Sequence, residues 1–392
     1  MSVRKGMEVS IAVAEAVKLA KVDVIAAYPI TPQTHIVEHL SELVADGELE
    51  AAFIPVESEH SALSAVVGAA AVGARSYTAT ASQGLALMHE IMFIASSLRL
   101  PMVMTVVNRA LSAPINIWND LSDIMAERDT GWIQLFAVNG QEAVDLTLQA
   151  FKIAEDPRVL LPVVVNLDGF ILSHVIESVE LPDQEAVDRF LPVFQPTLRL
   201  DPDRPVSMGA FGSPDVFMEV KKQVEEALIG SQEVVAEVWR DFEKAFGRSY
   251  QAVERYKTQG AETLLVTMGS ISETAMTAVD GMREKGQKVG LIHIRLWRPF
   301  PFREFFQAIE GAKVLAVVDR ALSPGGPGGP VGLEIKSALF DRRERPYVAD
   351  FVTGLGGRDL TEEIFEEIAT KAEQYARSGE AMRYEMIGVR EE

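Results

Sequence analysis

No cysteine occurs anywhere in the 392 residues. Disulfides are therefore excluded, and so is any metal or iron–sulfur centre held by thiolates of this chain. Positive charge is scarce as well: 37 lysines and arginines face 57 aspartates and glutamates, for a net charge of −20. A chain so acidic, with no basic stripe, is repelled by the polyanionic surfaces of nucleic acids and anionic membranes. No run of ~20 apolar residues is present that could span a bilayer, and Met1-Ser2-Val3-Arg4-Lys5-Gly6 lacks the apolar core of a secretory leader. The expectation is a cytoplasmic protein with no nucleic-acid partner and no membrane. What is plentiful is apolar content, at 48% of residues, which argues against disorder and supplies cores for two or three domains at this length.

That content alternates between helical and strand periods. Residues 8–20 read as a helix with Val9, Val13, Ala16, Val17 and Ala20 on its inner face, and 22–28 as a short buried strand ending at Pro29. Thr34 is placed to cap a helix starting near His35, with Ile36, Leu40 and Leu43 inward, and 51–55 makes the next strand. The unit repeats: 61–74, rich in alanine and glycine, as a helix close against a sheet, 75–81 as a strand delivering Ser82-Gln83-Gly84 into a turn, and 85–98 as a helix. Residues 101–107 and 161–166 are continuously apolar, as strands buried on both faces are. The fold class is α/β, a doubly wound parallel sheet.

From 181 to 214 proline and aspartate prevail without sustained periodicity, which predicts a long surface connection. Val216, Val220, Val224 and Leu228 then recur at helical spacing, and Val234, Val238 and Phe242 again, with a break expected at Gly230-Ser231 between two helices. A second, smaller α/β unit follows, with strands at 263–268, 288–295 and 313–319 and a helix at 273–285. Its glycine- and proline-rich stretch at 323–330 reads as a flexible interface loop rather than a phosphate loop opening a helix. The expected division is a first domain with its connecting segment at 1–230, a helical linker at 231–260 and a second domain at 261–392.

In such folds ligands bind outside the carboxyl ends of the strands. Four of these ends carry polar residues: Thr31, Ser82-Gln83, Asn108-Arg109, and Glu57, Glu59 and His60 beyond Pro55. One face would then hold a carboxylate, a guanidinium and a hydroxyl. Each residue also has a purely structural explanation: a threonine before proline as a turn residue, a glutamate opening a helix as a partner of its dipole, an arginine after a strand as half of a surface pair. His35 and His39 are four apart beside Glu38 and could share a metal, but no third ligand stands at useful spacing, so no metal site is expected. Asn119, Asp120 and Asp123 read as a loop that shapes a pocket or caps the next helix. Ser82 lacks the Gly-x-Ser-x-Gly of a hydrolase elbow.

Several segments stand in one order: Tyr28-Pro29-Ile30-Thr31-Pro32-Gln33-Thr34, Glu57-Ser58-Glu59-His60, Thr80-Ala81-Ser82-Gln83-Gly84, Asn108-Arg109 through Trp118-Asn119-Asp120 to Asp123, and Arg128-Asp129-Thr130-Gly131-Trp132. In these the chain resembles the alpha subunit of multi-subunit pyruvate:ferredoxin oxidoreductases. The likeness continues through Asp168-Gly169-Phe170, Arg298-Pro299-Phe300-Pro301 and Gly354-Leu355-Gly356-Gly357-Arg358-Asp359, covering nearly the whole chain. It implies a first domain that binds the pyrimidine of thiamine diphosphate and a second like the carboxyl-terminal domain of transketolase. It also implies that Glu59 hydrogen-bonds the aminopyrimidine ring, where a carboxyl favours the tautomer whose nitrogen removes the thiazolium C2 proton. Pro29, Ile30, Ser82 and Gln83 would line the cofactor. Arg109 would grip a 2-oxoacid carboxylate through two parallel hydrogen bonds, and Thr31, Asn119 and Asp120 would complete the substrate pocket.

The Gly-Asp-Gly segment by which such enzymes hold the diphosphate through Mg²⁺ is absent; the nearest text is Leu167-Asp168-Gly169. By the resemblance, that half of the site belongs with Mg²⁺ to a beta subunit, [4Fe-4S] clusters belong to a ferredoxin-like delta subunit, and a gamma subunit completes the assembly. The implied reaction is the reversible oxidative decarboxylation of pyruvate to acetyl-coenzyme A and carbon dioxide with ferredoxin as electron acceptor, by a hetero-oligomer without which this chain is inactive. A 2-oxoisovalerate or 2-oxoglutarate enzyme, or a non-catalytic scaffold homologue, are the alternatives.

Overall fold

The computed structural model describes residues 3–380 and 382–390; Met1, Ser2, Ala381, Glu391 and Glu392, which include the outer ends of both expected domains, lie outside the described residues. Seven strands form the first sheet, in the order Leu296–Arg298, Ile133–Phe136, Val163–Asp168, Val103–Asn108, Ser76–Thr80, Val24–Ala27 and Ala52–Pro55. Neighbours are parallel except Leu296–Arg298, which lies antiparallel on Ile133–Phe136. Val103–Asn108 and Val163–Asp168 are buried at every residue, the reason both read as mainly apolar runs without polar alternation. Helices Val9–Leu19, Thr34–Ala45 and Gly140–Glu155 share one apolar cluster on one face, while Glu59–Ala71 and Ser82–Ser97 share another on the opposite face.

The second sheet runs Glu385–Met386, Tyr347–Val352, Val314–Asp319, Thr263–Thr267, Val289–Ile294, Val253–Tyr256, parallel except for the last pair. The two units interlock. Leu296–Arg298 closes the first sheet although it follows a strand of the second, and Trp132 and Phe136 share one apolar cluster with Trp297, Val317 and Ile335. A separate two-stranded ribbon, Val3–Glu8 against Ile176–Leu181, has too many charged residues to signal a strand by hydrophobic alternation. No helix among the described residues is long and apolar enough to cross a membrane.

Four local expectations are corrected. Gly230-Ser231 is no break: one helix runs Pro214–Phe246, opened by Pro214 in its first turn and closed by Gly247 at φ +76°. Its buried positions Val224, Leu228, Ser231, Val235, Val238 and Phe242 step by three and four without interruption, and this packing outweighs the ~1 kcal/mol that a mid-helix glycine costs. The stretch after 181 is not wholly irregular, because Asp183 caps a short helix, Gln184–Phe190, that buries Val187 and Phe190. Thr34 does not cap its helix; Gln33 occupies the cap position and turns its side chain inward. The stretch 323–330 does open a helix, Pro330–Leu339, and is anchored rather than loose. The N–H groups of Gly329 and Gly332 bond the buried carboxylates of Asp350 (3.0 Å) and Asp319 (2.8 Å).

Candidate active site at the strand carboxyl ends

The loop leaving Val24–Ala27 is pinned from beneath by Gln33, which is wholly buried and donates to the carbonyls of Tyr28 (2.8 Å) and Ala79 (3.1 Å). Pro29, Ile30 and Thr31 are thereby fixed beside the end of Ser76–Thr80. From the adjoining strand end, Arg109 donates from Nε to the Asn116 carbonyl (2.7 Å) and from Nη1 to the Thr31 carbonyl (3.0 Å). The rest of its five-donor fork has no protein acceptor among the described residues. Gly169 permits this convergence, since a Cβ there would fall 2.3 Å from the Asn108 carbonyl oxygen and 2.8 Å from Pro32 Cγ.

Ser82, at a left-handed φ of +47°, opens the helix Ser82–Ser97. Its N–H bonds Asp123 (3.1 Å), its hydroxyl donates to the Ala110 carbonyl (2.7 Å), and Gln83 donates to the Ser112 hydroxyl (2.6 Å). Asp123 is the hub. One of its oxygens takes the N–H groups of Ser82 and Arg109 (3.0 Å), and the other takes Asn108 Nδ2 (3.0 Å) and the N–H of Ile124 (2.7 Å). Burial pushes its carboxyl up to about 7, but four donors and no acceptor face it, so the ionised form is the one this site fits. Asp123→Asn would set an amide N–H₂ against two of those donors, and should cost about 1–3 kcal/mol of stability, read as a lower Tm.

Glu59 stands in the first turn of Glu59–Ala71, where Ser58 caps the helix by accepting the Ser61 N–H at 3.2 Å. It is 7% exposed, and among the described residues nothing hydrogen-bonds or pairs with its carboxylate. Such burial is costly for an unpartnered charge. It presses against Gly84: a Cβ there would stand 2.6 Å from Glu59 Oε1 and 2.6 Å from Thr80 Oγ1. The helix start therefore touches Glu59 through Gly84 and shares Asp123 with Arg109 through Ser82, which places carboxylate and guanidinium on one face. Gly84→Ala should displace the Glu59 carboxylate and, as overpacking, destabilise by about 1–3 kcal/mol, measurable by thermal unfolding.

Asn119 is wholly buried with neither its amide oxygen nor nitrogen bonded. Asp120 is otherwise engaged: one oxygen accepts from the Ser122 N–H (2.9 Å) and hydroxyl (2.6 Å), the other from Gly356 N–H (3.1 Å). That last bond belongs to a tie from the second domain. Asn116 donates to the Gly356 carbonyl (3.0 Å), and Gly357 N–H donates to the Asn119 carbonyl (2.6 Å). Arg320, fully buried, pairs with Asp168 (3.0 Å) and reaches the Asn119 carbonyl (3.3 Å). The loop that orients Arg109 is thus held by the second domain. Nothing in the sequence marks Arg320 beyond a cation directly after an apolar strand. Arg320→Ala would strand the buried Asp168 and should cost about 3 kcal/mol, visible as a drop in Tm.

Asp168, the nearest match to a diphosphate-site aspartate, is consumed by this tie, since Ser270 also donates to it from N–H (3.0 Å) and hydroxyl (2.5 Å). The site therefore has one open carboxylate, Glu59, whereas Oδ2 of Asp168 is taken by three donors from the second domain. The model of the thiamine diphosphate-binding domain of pyruvate flavodoxin/ferredoxin oxidoreductases matches residues 15–240, and that of pyruvate:ferredoxin oxidoreductase core domain II matches 261–365. The chain belongs to the pyruvate:ferredoxin oxidoreductase family. It is 51% identical over 394 residues to pyruvate synthase subunit PorA of Pyrococcus horikoshii, covering 100% of both chains, and 50% identical to that of Thermotoga maritima, covering 90% of each. Ketoisovalerate oxidoreductase subunit VorA of Pyrococcus abyssi is 42% identical over 97% of this chain and 96% of that one.

Among solved structures, a 2-oxoglutarate:ferredoxin oxidoreductase from Magnetococcus marinus superposes with a TM-score of 0.71 at 18% identity, over 95% of this chain; this chain spans 65% of that one. A split-gene transketolase gives 0.55 at 11% identity, over 94% of this chain and 98% of that one. These likenesses concern the fold. They agree with a thiamine-diphosphate-type α/β domain followed by a transketolase-like one.

Proposed function

We propose that this chain is the subunit of a pyruvate:ferredoxin oxidoreductase that supplies the pyrimidine half of the thiamine diphosphate site and the contacts to the substrate carboxylate. The enzyme oxidatively decarboxylates pyruvate to acetyl-coenzyme A and carbon dioxide, passing electrons to ferredoxin. The observation that carries this reading is a buried carboxylate with no partner among the described residues, Glu59, on the same face as the unspent donors of Arg109. Thiamine diphosphate, when bound, supplies the nucleophilic carbon and the electron sink. Glu59 holds the hydrogen bond at its aminopyrimidine ring. Burial lowers the pKa of the Arg109 guanidinium while Asp123 counters it, and the fork stays charged to hold the 2-oxoacid carboxylate. Thr31, fixed by its carbonyl to that fork, presents its hydroxyl to the same substrate. The preference for pyruvate follows the higher identity to PorA than to VorA.

A beta subunit carrying Mg²⁺ and the diphosphate would cover this face. Tyr28, Ile54, Ile115 and Trp118 support that reading, because they lie on the loops and edge strand around the strand ends with large apolar area uncovered, 78% for Ile115 and 52% for Trp118. Gamma and delta subunits, the latter with [4Fe-4S] clusters, would take the electrons to ferredoxin in the cytoplasm. The purified chain, given thiamine diphosphate, Mg²⁺, coenzyme A and pyruvate, should release no carbon dioxide, and co-purification with the beta, gamma and delta subunits should restore turnover. Turnover by the single chain contradicts the shared site, and a higher kcat/KM for 2-oxoisovalerate or 2-oxoglutarate than for pyruvate contradicts the substrate.

A further inference from the structure

Outside the strand-end cleft, one cluster of ligating side chains is drawn from three segments: Glu8 at the end of Val3–Glu8, His35 in the first turn of Thr34–Ala45, and His174 just before Ile176–Leu181. A ligating atom of each lies within 4.8 Å of those of the other two. Glu8 Oε1 and His35 Nδ1 are 2.6 Å apart, and the two imidazole centroids 4.6 Å apart. The backbone frame is rigid. Val9 N–H bonds the Val175 carbonyl (3.1 Å), and the N–H and hydroxyl of Ser10 both bond the Ser173 carbonyl (3.0 and 2.8 Å). The chain on either side of His174 is therefore tied to the residues that follow Glu8. Ser173 Oγ accepts the Phe170 N–H (2.9 Å) and sits 2.7 Å from His174 Nδ1, where it can accept that proton too and leave Nε2 with its lone pair.

We propose that Glu8, His35 and His174 form a binding site for a borderline divalent cation, for which Zn²⁺ is the best match to two imidazoles and one carboxylate. Donors at about 2.0–2.2 Å from the ion stand about 3–3.5 Å from one another, so the half-buried side chains need only rotate inward, and a fourth position remains for water. His39, the apparent partner of His35 by spacing, is not in the cluster, being bonded to Glu15 at 3.0 Å; the third ligand lies far along the chain, beyond the reach of a spacing argument. Occupancy would tether the start of Thr34–Ala45, which directly follows the loop carrying Thr31, to the amino-terminal ribbon.

The test uses the full chain, stripped with a chelator and titrated with ZnCl₂ by calorimetry, with thermal unfolding in parallel. One equivalent should bind and raise Tm by a few degrees at saturating metal. Glu8→Gln and His174→Ala should each weaken binding by about 10-fold or more, with His39→Ala indistinguishable from wild type. Glu8→Gln keeps the proposal testable if His174→Ala fails to fold. Absence of stoichiometric binding, binding that survives both substitutions, or binding lost in His39→Ala would overturn the assignment.

Discussion

Glu59→Gln in the assembled enzyme is expected to lower pyruvate oxidation by about 10²–10⁴-fold, the range that a positioned proton-transfer group contributes. The same substitution should leave Tm unchanged or raise it, since the native carboxylate is buried and makes no bond among the described residues that glutamine would break. Most buried acids behave the other way. Asp123 takes donors on both carboxylate oxygens and Asp168 takes three on one, so their amides should cost stability first. Loss of turnover with retained or increased stability is thus a signature that a structural role for Glu59 does not produce, and assays of turnover and thermal unfolding on the same sample read it. A non-catalytic scaffold would show neither change in turnover nor any dependence on residue 59.

The second large effect falls on Arg109. Arg109→Lys keeps a positive charge but removes the planar fork, and should cut kcat/KM for pyruvate by about 10²–10³-fold, roughly 3–4 kcal/mol at 1.36 kcal/mol per decade and inside the ~2–5 kcal/mol range for disrupting a buried hydrogen-bonded charge pair. Most of that loss should enter through KM if the fork grips the ground-state carboxylate, and steady-state kinetics separates the two. Lysine is the more informative substitution than alanine, because Arg109 also ties Asn116 and Thr31 together, and a full truncation would loosen the loop as well as the substrate.

Much of this architecture is legible in the residues. The parallel strands are visible because burial on both faces favours mainly apolar text, as at Val103–Asn108, and the proposed site lies where such sheets offer it, at the carboxyl ends. Glu59, Arg109, Thr31 and Ser82 are named by that rule together with the ordered motifs. What is hidden are the contacts that join distant segments. Asp123 clamps two strand ends 41 and 14 residues away, and Arg320 reaches Asn119 across 201 residues, so neither role has a local pattern. Gly230 misleads for a related reason: a helix breaker by propensity is overruled by a packed face whose phase never slips. The charged ribbon Val3–Glu8 is invisible to hydrophobic alternation, yet it delivers Glu8 to two histidines.

The two proposed roles separate most directly in the rate at which deuterium exchanges into C2 of thiamine diphosphate bound to the assembled enzyme, measured without substrate. If the first residue serves the cofactor and the second the substrate, as proposed, Glu59→Gln should slow that exchange by about 10²-fold or more while Arg109→Lys leaves it at the wild-type rate. Equal exchange in wild type and Glu59→Gln, or a slowing by Arg109→Lys as large as that by Glu59→Gln, would contradict the division of roles on which the account rests.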